Sequence, residues 1–266
     1  MSLNHDESGK RWVQAQVEVP GTPEEVWDAI ATGPGVSSWF VPTEMRADGA
    51  IVCHFGPGME SVAKRTAWDP PRRFVGEGQM GPDGPTLATE WTVEAQAGGT
   101  CLVRVVHSLF ASGDDWDNQL EAIERGWPAY FEILRLYLTH FMGETGTLLP
   151  LMGMSLEPAP KAWERLTTAL GLTDLVPGSK FQAPGGCPAL SGWVEKGNDP
   201  GHPLQYLTRL EMPARGLCHL FAMPMGERVL LSMRMYLYGA DGAGALQRDG
   251  AAWTGWMQQN FPFAKP

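Results

Sequence analysis

The sequence predicts an α+β fold: a strongly curved antiparallel sheet gripping one long C-terminal helix, present twice in tandem. Three observations predict it. Short runs separated by Gly/Pro-rich turns fill residues 49–110 and read as successive strands. An apolar pattern with steps of three and four follows them, from Asp114 to Gly143, and reads as one helix. Finally, the opening of "PEEVWDAIATGPGVSSWF" (23–40) returns loosely as "PKAWERLTTALGL" (160–172), again Pro and a charged residue with Trp close behind, ahead of a helical pattern.

The elements follow in order. "RWVQAQVEV" (11–19) alternates, with Val13, Ala15, Val17 and Val19 on one face of a half-buried strand. Thr22 then caps a helix that has Pro23 at its first position and Glu24 and Glu25 complementing the dipole. Gly33-Pro34-Gly35 is expected to break that helix, and "VSSWF" to form a short second helix or turn. Strands are expected at 49–55, 60–68, 72–78, 87–95 and 100–110. In the long helix the apolar positions are Trp116, Leu120, Ile123, Trp127, Tyr130 or Phe131, Leu134, Leu138 and Phe141, with Pro128 expected to kink it.

The second half repeats this order loosely. A strand at 147–156, the helix of "PKAWERLTTALGL", and strand candidates "LSGWVEK", "LQYLTRLEM", "GLCHLFAM" and "RVLLSMRMYLY" precede "LQRDGAAWTGWMQQNF" (246–261). That last stretch echoes "LEAIERGWPAYFEILR" (120–135), with Leu246 to Trp253 spaced as Leu120 to Trp127. Domains are therefore expected at 11–143 and 147–266, the second with a shorter final helix and with its cavity either kept or lost to a scaffold role.

Bulk properties narrow the function classes. The chain has 266 residues, 43% of them hydrophobic, enough for two ordinary cores. A formal net charge of −10 repels phosphate backbones, so nucleic acid is not an expected partner. Cys53, Cys101, Cys187 and Cys218 form neither a Cys-x-x-Cys pair nor a disulfide framework, and read as free thiols in a reducing compartment. The polar N-terminus has no apolar leader pattern, and no run of eighteen apolar residues exists, so a cytoplasmic protein without a membrane span is expected.

"PEEVWDAI", "WF", "WDPPRRFVGEG", "TEWTVEAQAGGTCLVRVVHSLF" and "ERGWPAYFEILRLYL" occur in order over residues 12–142. In these motifs the chain resembles the START-like (SRPBCC) superfamily, and within it the homologues of the heat-shock-protein ATPase activator. The resemblance implies a helix-grip fold with an apolar cavity between sheet and helix. It departs from the family at Asp48-Gly49-Ala50, where Gly-Gly usually precedes the third strand.

Candidate site residues are those expected to face that cavity: Trp39 and Phe40 at its mouth, Trp91 and His107 on the sheet, and Leu120, Ile123, Trp127, Tyr130 and Phe131 on the helix. His107 shares parity with Cys101, Val103, Val105 and Leu109. It reads either as a polar ligand anchor or acid–base group, or as a structural histidine tied to a backbone carbonyl or to the long helix. The resemblance favours the structural tie. "GEGQMG" (76–81) spells Gly-x-Gly-x-x-Gly, but the Pro82-Asp83-Gly84-Pro85 behind it cannot open a helix, so no dinucleotide site is expected. No spacing suggests a metal site, and no cofactor is expected.

Three functions compete. Binding of a small hydrophobic or lipid-like molecule is favoured. A cyclase- or hydrolase-type enzyme would need a polar cavity group, for which His107 and Tyr130 are the nominated pair. A chaperone-associated or regulatory protein with a protein partner is the third.

Overall fold

A computed structural model describes residues 3–56, 58–81, 84–110, 116–199 and 202–263. The chain divides into two compact units between Thr145 and Gly146.

The first unit contains β1 (Asn4–His5), β2 (Lys10–Pro20), α1 (Pro23–Ala31), α2 (Gly33–Ser37), β3 (Thr43–Met45), β4 (Ala50–Gly56), β5 (Met59–Asp69), β6 (Arg73–Gln79), β7 (Thr86–Gln96), β8 (Thr100–Phe110) and α3 (Asp117–His140). Its strands form one antiparallel sheet in the order β1-β2-β8-β7-β6-β5-β4-β3. Alternation sets the faces: Cys101, Val103, Val105, His107 and Leu109 of β8 are all buried, while Leu102, Arg104, Val106 and Ser108 between them are half-buried. On that outer face Arg104 meets Gln16 at 3.3 Å and Glu94 at 3.7 Å. "GEGQMG" lies in β6 and the turn behind it, in an extended conformation unsuited to cradling a pyrophosphate.

α1 starts with a reciprocal cap. The Thr22 hydroxyl accepts from the Glu25 N–H at 3.3 Å, and the Glu25 carboxylate accepts from the Thr22 N–H at 2.8 Å. Thr22→Ala is expected to cost about 1 kcal/mol. Urea denaturation measures it, and a midpoint unchanged within error would show that the cap contributes nothing.

Gly33-Pro34-Gly35 does not lie between two helices, as expected, but opens α2. Thr32 accepts from the Gly35 N–H at 3.1 Å, capping α2 directly after α1. The glycines permit close approach rather than a turn. A Cβ on Gly35 would fall 2.0 Å from the Asp28 carbonyl oxygen, and one on Gly33 would fall 2.9 Å from that of Thr43. The long helix ends at His140 rather than Gly143, and its expected start at Asp114 lies outside the described residues.

The second unit contains β9 (Gly146–Ser155), α4 (Ala159–Ala169), β10 (Lys180–Gln182), β11 (Ser191–Asp199), β12 (His202–Met212), β13 (Gly216–Met225), β14 (Arg228–Tyr238) and α5 (Gly239–Asn260). Its sheet order is β10-β11-β12-β13-β14-β9. The first unit's rule is repeated. The strand before the first helix pairs with the strand before the last helix, and the others follow in reverse order to the far edge. Among the described residues, five strands follow the first helix of the second unit, where six follow that of the first.

The final helix is shorter by only two residues: α5 has 22 against 24 in α3. α5 begins ahead of the echo at 246–261 and takes in "GADGAGA" (239–245), whose glycines carry low helix propensity. Packing overrides propensity here, since a Cβ on Gly242 would fall 2.5 Å from the Leu237 carbonyl carbon. The second unit's core is a continuous cluster that includes Trp163, Phe181, Tyr206, Met233, Met235, Trp253 and Trp256. All four cysteines are free thiols.

Candidate functional site

A cavity of about 380 Å³ lies between the sheet of the first unit and the first half of α3. Its walls follow from two periodicities. On the sheet the lining residues advance by two: Thr43 and Met45, then Ile51, Cys53 and Phe55, Ser61 and Ala63, Phe74 and Gly76, and Leu87, Thr89 and Trp91, with His107 from β8. On α3 they advance by helical steps: Ala122, Ile123, Gly126, Trp127 and Tyr130. Ile30 of α1, Val36 of α2, and Trp39 and Phe40 complete the wall.

Small residues leave the space. Gly126 has nothing within 4 Å of where a Cβ would stand. Gly76 faces only the Ile51 and Ala63 side chains. Large aromatic rings frame it. Trp127 meets Trp91 edge-on at 5.1 Å and stacks on Phe40 at 5.5 Å, while Phe40 meets Tyr130 at 4.5 Å. No Lys, Arg, Asp or Glu stands among the described lining residues.

Seven of the nine residues expected at the site therefore stand around one cavity: Trp39, Phe40, Trp91, His107, Ile123, Trp127 and Tyr130. Two do not. Leu120 is fully buried in a separate cluster with Val13 and Leu109. Phe131 lies behind the wall, packed on Trp127 at 5.3 Å and Trp91 at 6.2 Å. One apolar helix stripe runs from packed core through the cavity and back into packed core, and spacing alone does not mark where the space begins. Trp39 also differs from expectation. It is not at the mouth but 1% exposed, with its indole N–H donating to the Ala29 carbonyl at 2.9 Å. The mouth carries Phe55, 42% exposed, and the exposed Ala122 and Gly126.

His107 is tied to the long helix. The Trp127 Nε1–H donates to His107 Nε2 at 2.8 Å, and Thr89 Oγ1 lies 3.0 Å from His107 Nδ1. An indole N–H can only donate, so Nε2 is the acceptor nitrogen and Nδ1 carries the proton. His107 therefore donates to Thr89. Burial alone pushes the imidazole down to about 4 from its ordinary 6.5, so it is neutral at pH 7. A neutral ring with both nitrogens engaged in the wall is a poor general base, because its lone pair is already occupied.

Thr89 was missed at the sequence level, although its parity with Trp91 gives the signal. So were Ile51, Cys53 and Ala63, which belong to strands with weak patterning. Burial raises the Cys53 thiol above its ordinary value, and its Sγ sits 3.5 Å from Thr43 Oγ1, so it is a wall residue held as a thiol. Among the described residues, no three His, Cys, Asp or Glu side chains come together to hold a metal ion. No described helix is long and apolar enough to cross a membrane.

Comparison with known proteins gives the following. No curated protein sequence matches the chain. Among solved structures, DynU16, from the dynemicin biosynthetic locus, is 19% identical with a TM-score of 0.43, covering 92% of this chain and 95% of that one. The di-domain ARO/CYC BexL from the BE-7585A biosynthetic pathway is 14% identical with a TM-score of 0.45, covering 96% of this chain and 100% of that one. The Aha1 dimer of Colwellia psychrerythraea is 17% identical with a TM-score of 0.40, covering 50% of this chain and 98% of that one. The family described as "Activator of Hsp90 ATPase homolog 1-like protein" matches residues 20–139, the stretch from the end of β2 through α3 that builds the whole cavity. Residues 20–139 are thus similar to this family.

Proposed function

We propose that the first unit binds a small, uncharged, predominantly apolar molecule in the cavity between its sheet and α3. The observation that carries this reading is a space of about 380 Å³ framed by aromatic rings, with no ionisable carboxylate, ammonium or guanidinium among its described lining residues. That volume falls within the roughly 300–1,000 Å³ of small-molecule sites, which pair apolar walls with few polar groups. Charged ligands would lose their hydration here without a counter-charge. Catalysis by His107 and Tyr130 is less well supported, because the histidine's lone pair is already taken by Trp127. In this reading the second unit is a scaffold, its sheet and helices joined by one packed cluster.

The test uses N-phenyl-1-naphthylamine, an uncharged apolar dye whose fluorescence rises on leaving water. Saturable one-to-one enhancement is expected. Gly126→Leu places a side chain into the open mouth while improving helix propensity by about 1 kcal/mol. It should weaken dye binding at least ~10-fold, the scale of burying one leucine side chain in the ligand's place. No saturable binding, or binding indifferent to Gly126→Leu, would refute the assignment. Native mass spectrometry of freshly purified protein would then identify any co-purified adduct.

A further inference from the structure

Resting on the binding reading above, we infer that the Thr89 hydroxyl is a fixed hydrogen-bond donor aimed into the cavity, and that the ligand carries a neutral oxygen acceptor, such as a ketone, ester or quinone carbonyl, on its apolar body.

The Trp127 indole can only donate, and it donates to His107 Nε2 at 2.8 Å. That fixes the His107 proton on Nδ1, 3.0 Å from Thr89 Oγ1, so Thr89 accepts there. A hydroxyl that accepts still has one hydrogen to give. The residues paired with Thr89 and those two along its strand offer no free side-chain acceptor. Thr89 pairs with His107 on one side, whose remaining nitrogen accepts from Trp127, and with Gly76 on the other, which has no side chain. Two residues along β7 in either direction stand Leu87 and Trp91, neither an acceptor. Thr89 and Gly76 both line the cavity, so the free direction of the hydroxyl opens on the ligand's space.

The direction of the chain selects the chemistry. Trp127 gives to His107, His107 gives to Thr89, and Thr89 gives to the ligand. A ligand with only a donor at this point would meet an oxygen already engaged by His107. A carboxylate would meet a donor but no cationic lining residue to offset its desolvation. A neutral carbonyl or ether oxygen fits.

Two probes of similar size test this: 2-acetylnaphthalene, with a carbonyl, and 2-ethylnaphthalene, without one. Binding is read by quenching of tryptophan fluorescence, since Trp39, Trp91 and Trp127 wall the site. The wild-type chain should prefer the ketone by about fivefold, the size of one net hydrogen bond. Thr89→Val, close to isosteric, should erase the preference and leave 2-ethylnaphthalene affinity within about twofold. Thr89→Ser should restore the preference, which separates the hydroxyl from any effect of repacking. If both probes bind and Thr89→Val keeps the ketone preference, the donor assignment fails while the binding reading stands. If neither probe binds the wild-type chain, both fail together.

Discussion

Trp127→Ala is expected to destabilise the first unit by about 4 kcal/mol, within the range for deleting a large buried aromatic. Trp127 is 7% exposed. Its ring touches Trp91, Phe40, Phe131 and Tyr130, and its N–H is the partner of His107 Nε2. Truncation therefore removes apolar contact, merges the lost volume with an existing cavity, and leaves a buried imidazole nitrogen unsatisfied. Trp127→Phe separates these effects. It keeps most of the packing but removes the donor, and should cost about 2 kcal/mol, the scale of one orphaned buried acceptor. Urea denaturation followed by circular dichroism measures both. A Phe variant as stable as wild type would show that the Trp127–His107 bond contributes nothing. A Phe variant as unstable as the Ala variant would show that packing does not dominate.

Acidification is expected to destabilise the same unit through His107. In the folded chain burial holds its imidazole at about 4, against 6.5 ordinarily. At pH 7 the ring is neutral in both folded and unfolded chains, so it adds no pH dependence there. As pH falls below 6.5, the unfolded chain takes up a proton that the folded chain refuses. Stability then drops by roughly 1.4 kcal/mol per pH unit, to a total of about 3 kcal/mol near pH 4. The groups facing the ring are Val13 on β2, Thr89 on β7 and Trp127 on α3, none of which carries a charge to offset this. The decisive comparison is with His107→Gln, whose amide is neutral throughout. Between pH 7 and pH 5 the wild-type chain should lose about 2 kcal/mol more than the variant. Exposed carboxylates such as Glu44 and Glu211, held below their ordinary values by neighbouring Arg46 and Lys180, titrate alike in both proteins and cancel. Equal losses would mean that the histidine is not held neutral by burial.

How much of this was legible before the structure depends on which physical signal each part uses. β8 and β14 match the strands read from sequence at Thr100–Phe110 and Arg228–Tyr238, because an uninterrupted strand between turn residues leaves few alternatives. The first turns of α5 were not legible, because Gly239, Gly242 and Gly244 have low helix propensity and the approach of the helix to Leu237 is a tertiary fact. The aromatic half of the cavity was legible, since Trp91, Trp127 and Tyr130 advertise their faces by period. The open half was not. Empty space is made by Gly76, Ala63 and Gly126, and small residues look the same in sequence whether they border a cavity or a close contact. Thr89 lay between those cases: its face followed from parity, but its role depended on a hydrogen bond to a residue 18 positions away.

The pairing of the first long strand with the last one also governs how each unit can be assembled. In the first unit Val13 lies opposite His107, so β2 finds its partner only after nearly the whole domain has been made. In the second, Leu151 lies opposite Met233. Contacts this distant along the chain make folding slow relative to helical proteins of similar size, since the intervening chain must be ordered before they can form. During synthesis β2 emerges well before β8 and waits with only the short β1 to pair with, and β9 later waits for β14 in the same way. Sequential hairpins from β4 to β8 can form meanwhile, and the closing step joins the earliest-made strand to the latest. That same closing step brings Val13, Leu109 and Leu120 together and seats α3, so the cavity exists only once the final helix is in place.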